Sequence, residues 1–284
     1  MHHLLIGYGY CGYHLAKLLL AQQQEVTALS RHLDPSLKLP GLTHLAHDLA
    51  KPLIWQQEDS ILYYLIPPPE EGNTDRLLQH FLAHSDIQAL KVIYFGSSGI
   101  YGNHRGAWVD EQAPCYLDKP RQKRRANAEE QWRHFCQQQE IDCILLRIAG
   151  IYGPKRIPSA AARAGLPLIN PEEAPYSNTI YVKDLVNIAY QLACKIQVEG
   201  IYNIADGNPS PMGSLQQALA KELNLKPAPY QSFEQAWEQA SSMKREFMEA
   251  SKRLRIDALK ITLGQLLHLT PLPEAIRESL EEGT

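Results

Sequence analysis

Short runs of continuously apolar residues alternate, up to about residue 205, with stretches whose apolar positions recur at helical spacing. The runs 3–6, 25–30, 43–47, 61–66, 91–96, 142–148 and 201–204 are predicted strands. Between them, 10–22, 74–84, 127–139, 182–195 and 213–223 are predicted helices. Strands that are apolar at every position rather than every second one belong to a sheet buried on both faces. Their alternation with helices predicts a parallel sheet, and right-handed crossovers make a doubly wound (Rossmann) α/β fold the economical topology.

The pattern changes after residue 205. Asp206-Gly207-Asn208-Pro209-Ser210-Pro211 is a cluster of chain breakers, and the chain beyond it reads as mainly helical. The stretch 156–178 also lacks strand character and is punctuated by Pro158, Pro167, Pro171 and Pro175. Open α/β folds bind ligands beyond the carboxyl ends of their strands, so an excursion there is expected on the substrate side. The expected division is a nucleotide-binding domain from 1–155 and 179–205, with 156–178 and 206–284 forming a smaller, mostly helical substrate lobe.

The first strand runs into Gly7-Tyr8-Gly9-Tyr10-Cys11-Gly12, and a helical pattern with Leu15, Leu18 and Leu19 on one face follows. Strand, Gly-x-Gly-x-x-Gly and helix in that order is the context a dinucleotide fingerprint requires. The first glycine permits the tight turn and the second lets a pyrophosphate approach the backbone. The third lets the helix pack closely on the strand, and the helix N-terminus presents free N–H groups to phosphate. Gly7, Gly9, Tyr10, Cys11 and Gly12 are therefore candidate cofactor residues. The second strand ends in Ser30-Arg31 with no carboxylate at its tip. An acid there would hold a ribose 2′-hydroxyl, whereas an arginine fork and a hydroxyl suit a 2′-phosphate. NADP is the expected cofactor, with NAD left open because Asp34 lies only slightly later.

Composition narrows the class. A net charge of −3 over 284 residues gives no reason to expect a nucleic-acid or membrane partner. Five cysteines, an odd number without a CxxC pair, fit reduced thiols in a cytoplasmic protein. No run is long and apolar enough to span a bilayer, and the N-terminus lacks the basic start and cleavage site of a signal peptide.

Five motifs in order resemble the extended short-chain dehydrogenase/reductases of the NAD(P)-dependent epimerase/dehydratase type. They are the glycine turn, Asp48-Leu49, Phe95-Gly96-Ser97-Ser98-Gly99-Ile100-Tyr101-Gly102, Arg147 through Pro154, and Asn178 through Leu185. The resemblance spans residues 1 to 205, and the tail with Ser251-Lys252-Arg253 is similar to a sugar-nucleotide-epimerase-like branch. It implies that Asp48 and Leu49 meet the adenine, that Pro67 begins a loop beside the cofactor, and that Ile151 passes the nicotinamide. It also implies an enzyme acting on a hydroxyl or carbonyl of a small polar substrate, and a homodimer built on helices 74–84 and 127–139. Ser97 matches the family's Ser/Thr, and Ser98, Tyr101 and Asn178 are candidate substrate contacts.

The family's catalytic Tyr-x-x-x-Lys is absent. Counting back from Ala128-Glu129 puts Arg121 in the Tyr slot and Arg125 in the Lys slot, on one helical face. Arginine stays protonated and cannot act as a base, but it binds phosphate or carboxylate and stabilises an oxyanion. Five basic residues in the Lys119–Arg125 segment oppose the dipole of a helix start, which points to an anionic partner. Two functions follow: an atypical oxidoreductase or epimerase-like enzyme with Ser97, Arg121 and Arg125 at its centre, or an NADP-binding sensor without redox chemistry. Tyr116 carries a suitable phenol but lies outside the helical face.

Overall fold

A computed structural model describes residues 1–283. Seven strands form one parallel sheet: β1 (His2–Ile6), β2 (Glu25–Ser30), β3 (Thr43–Ala46), β4 (Ser60–Tyr64), β5 (Lys91–Phe95), β6 (Asp142–Ile148) and β7 (Gly200–Ile204). Their order is β3-β2-β1-β4-β5-β6-β7, and every pairing is parallel. The order reverses between β1 and β4, where a doubly wound sheet opens its ligand crevice. All residues of β4 and β5 are buried, including Ser60 and Lys91 at their starts, as the apolar runs that follow predict.

Helices α1 (Tyr10–Ala21) and α4 (Val182–Cys194) cover one face, and α2 (Arg76–His84) and α3 (Pro120–Gln138) the other. Helix α3 starts well before the predicted 127–139. Its first two turns carry basic and amide side chains in place of an apolar stripe, so periodicity misses them. Pro120 suits the first turn, and the Lys119 backbone N–H donates to Gln122 Oε1 at 2.8 Å.

Residues 156–178 pack with the chain that follows β7. Leu168–Ile169 pairs with Tyr230–Gln231, Tyr176–Ser177 pairs with Ser210–Pro211, and the short helix Ser159–Arg163 lies on α5 (Ser214–Glu222). Further on come α6 (Ser242–Glu249), α7 (Asp257–Leu263) and α8 (Leu272–Glu281). The expected lobe 206–284 is not one separate unit. Arg253–Leu254 pairs with Trp108–Val109, and Leu254, Ile256, Leu259 and Leu263 enter the same core as Leu5 and Leu15. The reason is the sheet edge: Tyr202 and Ile204 of β7 are buried in that core, and α7 packs against the strand.

Candidate active site

The glycine turn has the shape of a phosphate cradle. Gly7 has φ +104°, and a Cβ there would lie 2.7 Å from Ile66 Cγ1. At Gly12 a Cβ would lie 2.7 Å from the Gly7 carbonyl oxygen, whereas at Gly9 nothing lies within 4 Å. Two positions are thus closed by packing and the middle one faces open space, which is the arrangement a pyrophosphate needs. The Gly7 and Tyr8 N–H groups donate to Leu29 O at 3.0 and 3.1 Å, fixing the turn to β2. Gly9 caps α1 without any side chain bonding the free N–H groups, and the first turn has no acid. Tyr10 and Cys11 occupy that turn, with the Arg156 guanidinium 5.4 Å over the Tyr10 ring. The residues present fit a dinucleotide.

At the tip of β2, Ser30 Oγ donates to His32 O at 2.7 Å and lies 2.7 Å from His44 Nε2. Arg31 is exposed and makes no ion pair among the described residues. The Asp34 carboxylate is turned into its own loop, accepting from Ser36 N at 2.9 Å and Ser36 Oγ at 2.7 Å. Asp48 is exposed and accepts from Ala50 N at 3.0 Å. The Leu49 side chain is core, so only its backbone is left to meet a ligand. Pro67 is exposed just past β4.

Beyond the carboxyl ends of β5 and β6 lies a cavity of about 730 Å³. Ser97, Ser98, Ile151 and Asn178 line it, and so do Arg121, Arg125, Arg156 and Lys252. Ser97 caps the short turn Ser98–Tyr101, with Oγ accepting from Gly99 N at 3.2 Å. Arg121 and Arg125, on one face of α3, both reach the cavity wall. The Arg121 guanidinium sits 5.4 Å over the ring of Phe247, on α6. Arg125 is more deeply set beside Tyr94, and burial lowers its pKa without making it a base. Neither makes an ion pair among the described residues. Their neighbours are engaged otherwise: Lys119 pairs with Glu249 at 3.2 Å, and Arg124 donates to Gly72 O at 2.7 Å. Asp118, Glu246 and Glu249 add carboxylates to the same wall.

Tyr101 corrects an expectation. It is fully buried, its hydroxyl donates to Asn203 Oδ1 at 2.8 Å, and Arg147 Cζ lies 4.8 Å from its ring centre. Burial pushes its phenol up to about 12. Arg147 in turn pairs with Glu129 of α3 at 2.9 Å. Tyr101 is therefore part of a buried polar network under the cavity, not a substrate contact, because the turn that leaves Ser98 and Gly99 on the cavity wall aims Ile100 and Tyr101 into the core. Asn178 lines the cavity, but its amide is engaged: Nδ2 donates to Lys252 O at 3.0 Å, and Oδ1 accepts from Leu254 N at 2.8 Å. Tyr116 stands outside the cavity with its ring 4.8 Å from His104.

Sequence reasoning missed two wall residues. Arg156 follows the Gly153-Pro154 motif, and only the stacking on Tyr10 reveals that it joins the cavity to the glycine turn. Lys252 sits in the tail motif, far in sequence from every residue predicted to form the site. Among the described residues no group of acidic, His or Cys side chains could hold a metal ion, and no helix is long and apolar enough to cross a membrane. All five cysteines are free.

No curated protein matches the sequence. Among solved structures, a functionally unknown conserved protein from Silicibacter pomeroyi DSS superposes with a TM-score of 0.78 at 24% identity, over 100% of this chain and 99% of that one. The UDP-glucuronic acid 4-epimerase from Bacillus cereus in complex with NAD gives 0.75 at 17% identity, over 99% and 98%. The UDP-glucose 4-epimerase from Thermus thermophilus in complex with NAD gives 0.73 at 19% identity, over 99% and 98%. These likenesses are in fold. Residues 72–205, which carry Ser97, α3 and the Asn178 segment, match the NAD dependent epimerase/dehydratase family. With the cradle at Gly7–Gly12 and the cavity beside it, the match makes the central part of this chain, residues 72–205, similar to the NAD dependent epimerase/dehydratase family.

Proposed function

We propose that the protein is a nicotinamide-dinucleotide-dependent oxidoreductase or epimerase-like enzyme. Its substrate is a small polar, anionic molecule with a hydroxyl or carbonyl at the reacting carbon. The observation that carries this reading is the join between two features. A glycine turn open only at Gly9 leads, through Arg156, into a cavity whose wall holds Arg121 and Arg125 without ion pairs. Cations held close to burial without a direct ion pair are favourable when an anion completes them.

When bound, the nicotinamide supplies or accepts a hydride. Gly7, Gly9, Gly12 and the first turn of α1, with Tyr10 and Cys11, would hold the diphosphate. Ser30 and Arg31 would meet the adenosine ribose, Asp48 and Leu49 the adenine, and Pro67 and Ile151 the rest of the cofactor. The exposed Arg31 and the occupied Asp34 carboxylate favour NADP over NAD. The two named neighbours hold NAD and act on UDP-sugars, which supports a sugar nucleotide as the substrate class. In the cavity Ser97 and Ser98 orient the reacting oxygen, and Arg121 and Arg125 bind the substrate anion or stabilise negative charge developing on that oxygen. Residues 156–178 and 206–284 supply the substrate side of the wall, with Glu246, Phe247 and Lys252 among its lining.

A second reading is an NADP-binding sensor without hydride chemistry. The arginines standing where the family has Tyr and Lys favour it. NADPH fluorescence titration followed by turnover with a panel of sugar nucleotides separates the two. Saturable binding with hydride transfer supports the enzyme, binding alone supports the sensor, and no saturable binding removes both.

A further inference from the structure

Lys252 is the least explained group in the cavity. Its side chain lines the wall, yet the residue is only 6% exposed. Nζ makes one hydrogen bond, to Gly102 O at 3.3 Å, and no ion pair among the described residues. Its backbone is tightly held. The Asn178 amide grips Lys252 O and Leu254 N, and His104 N and Gly106 N donate to Ser251 O at 3.0 and 3.1 Å. A parallel bridge to Trp108–Val109 completes the clamp. A buried, unpaired ammonium is costly, and a fold that needed only packing there would be better served by an apolar side chain.

We propose that Lys252 is the acid–base residue of this cavity, transferring the proton to and from the substrate oxygen, with Asn178 as its positioning residue. The inference rests on the oxidoreductase reading given above. In the reducing direction the carbonyl carbon receives a hydride from a reduced nicotinamide nucleotide, which is oxidised. The carbonyl π pair moves to oxygen, an Nζ–H bond breaks, an O–H bond forms, and Lys252 is left as a neutral amine. The reverse reaction returns the proton to that amine. Arg121 and Arg125 cannot do this, because they do not give up a proton in the working range.

The surroundings suit the role. Burial draws the ammonium down to about 8, from 10.5, so both protonation states are accessible near neutrality. Charged groups share the cavity from each side: Arg121 and Arg125 on α3, Asp118 and Lys119 just before it, Glu246 and Glu249 on α6, and Arg156. None of them offsets burial at Lys252, whose lowered value is due to desolvation alone.

The test begins with the full-length protein labelled with ¹⁵N-lysine. The Nζ resonance missing from Lys252→Ala is followed against pH in the wild type. A midpoint near 8 supports the proposal, and one in the ordinary lysine range overturns it. Next, NADPH binding and single-turnover hydride transfer to carbonyl-bearing sugar nucleotides are compared in the wild type and Lys252→Ala. Expected are nucleotide affinity within about twofold, transfer slower by about 100-fold, and partial rescue by added ethylamine. Unchanged transfer with an unchanged pH profile overturns the assignment while leaving the enzyme reading intact. No saturable NADPH binding by either protein removes the enzyme reading and this inference with it. A slower Asn178→Ala enzyme whose pH profile moves with the Nζ midpoint identifies Asn178 as the positioning group.

Discussion

Two buried cations stand close to the same cavity and are treated in opposite ways. Arg147, on the sheet side, meets Glu129 at 2.9 Å, donates to Glu111 O at 3.2 Å and lies under the Tyr101 ring. Lys252, on the lobe side, is as deeply buried and has a single carbonyl for company. Where a charge serves the fold, a counter-charge and hydrogen bonds surround it. Where those are withheld, the charge is free for whatever enters the cavity. Arg125 sits between the extremes, half-buried beside Tyr94 but unpaired among the described residues.

The sharpest way to break this contrast is Glu129→Ala, which leaves Arg147 buried without its partner. A loss of about 3–5 kcal/mol is expected in urea unfolding. Lys252→Met should do the opposite. Its folded pKa is lowered to about 8, so between that value and the unfolded 10.5 the native state holds fewer protons than the unfolded chain. Wild-type stability therefore rises with pH across that window, and the full penalty for protonated Lys252 is present below it. The methionine variant should be more stable by about 1–3 kcal/mol at pH 7, with the gap closing as the pH rises toward 10. Parallel unfolding curves at pH 7 and pH 10 would show no such convergence if Lys252 were in contact with water.

Gly9→Ala tests the cradle without disturbing packing, because its Cβ would touch nothing. Nucleotide affinity should fall about tenfold, or 1.4 kcal/mol, with thermal stability unchanged or slightly raised. Gly12→Ala, whose Cβ would strike the Gly7 carbonyl, should lose both. The smallest effect is expected from Arg31→Ala. It should weaken NADPH by about 0.5–1 kcal/mol and leave NADH alone, since the side chain is exposed and its pairing is screened. Equal losses for both nucleotides would place Arg31 away from any 2′-phosphate.

Much of this was readable in order along the chain. The apolar runs mark all seven sheet strands to within a residue or two, and Gly7, Gly9 and Gly12 carry their separate backbone demands in a short local string. The register of Arg121 with Arg125 on one wall follows from helix geometry alone. The first two turns of α3 were harder, because helix propensity without an apolar stripe is a weak signal. Tyr101 was misread since a motif says which residues are neighbours in sequence but not which way a one-turn helix aims them.

The amino-acid sequence by itself thus determined the doubly wound sheet, the phosphate-ready turn and the basic face of α3, because each depends on residues within a few positions of one another. Tertiary structure alone decided that Lys252 enters the cavity, that Asn178 clamps it and that Leu254 to Leu263 complete the sheet's core. Those outcomes depend on burial and on contacts across 74 and 76 residues. Desolvation and long-range packing have no local signature that a spacing could carry.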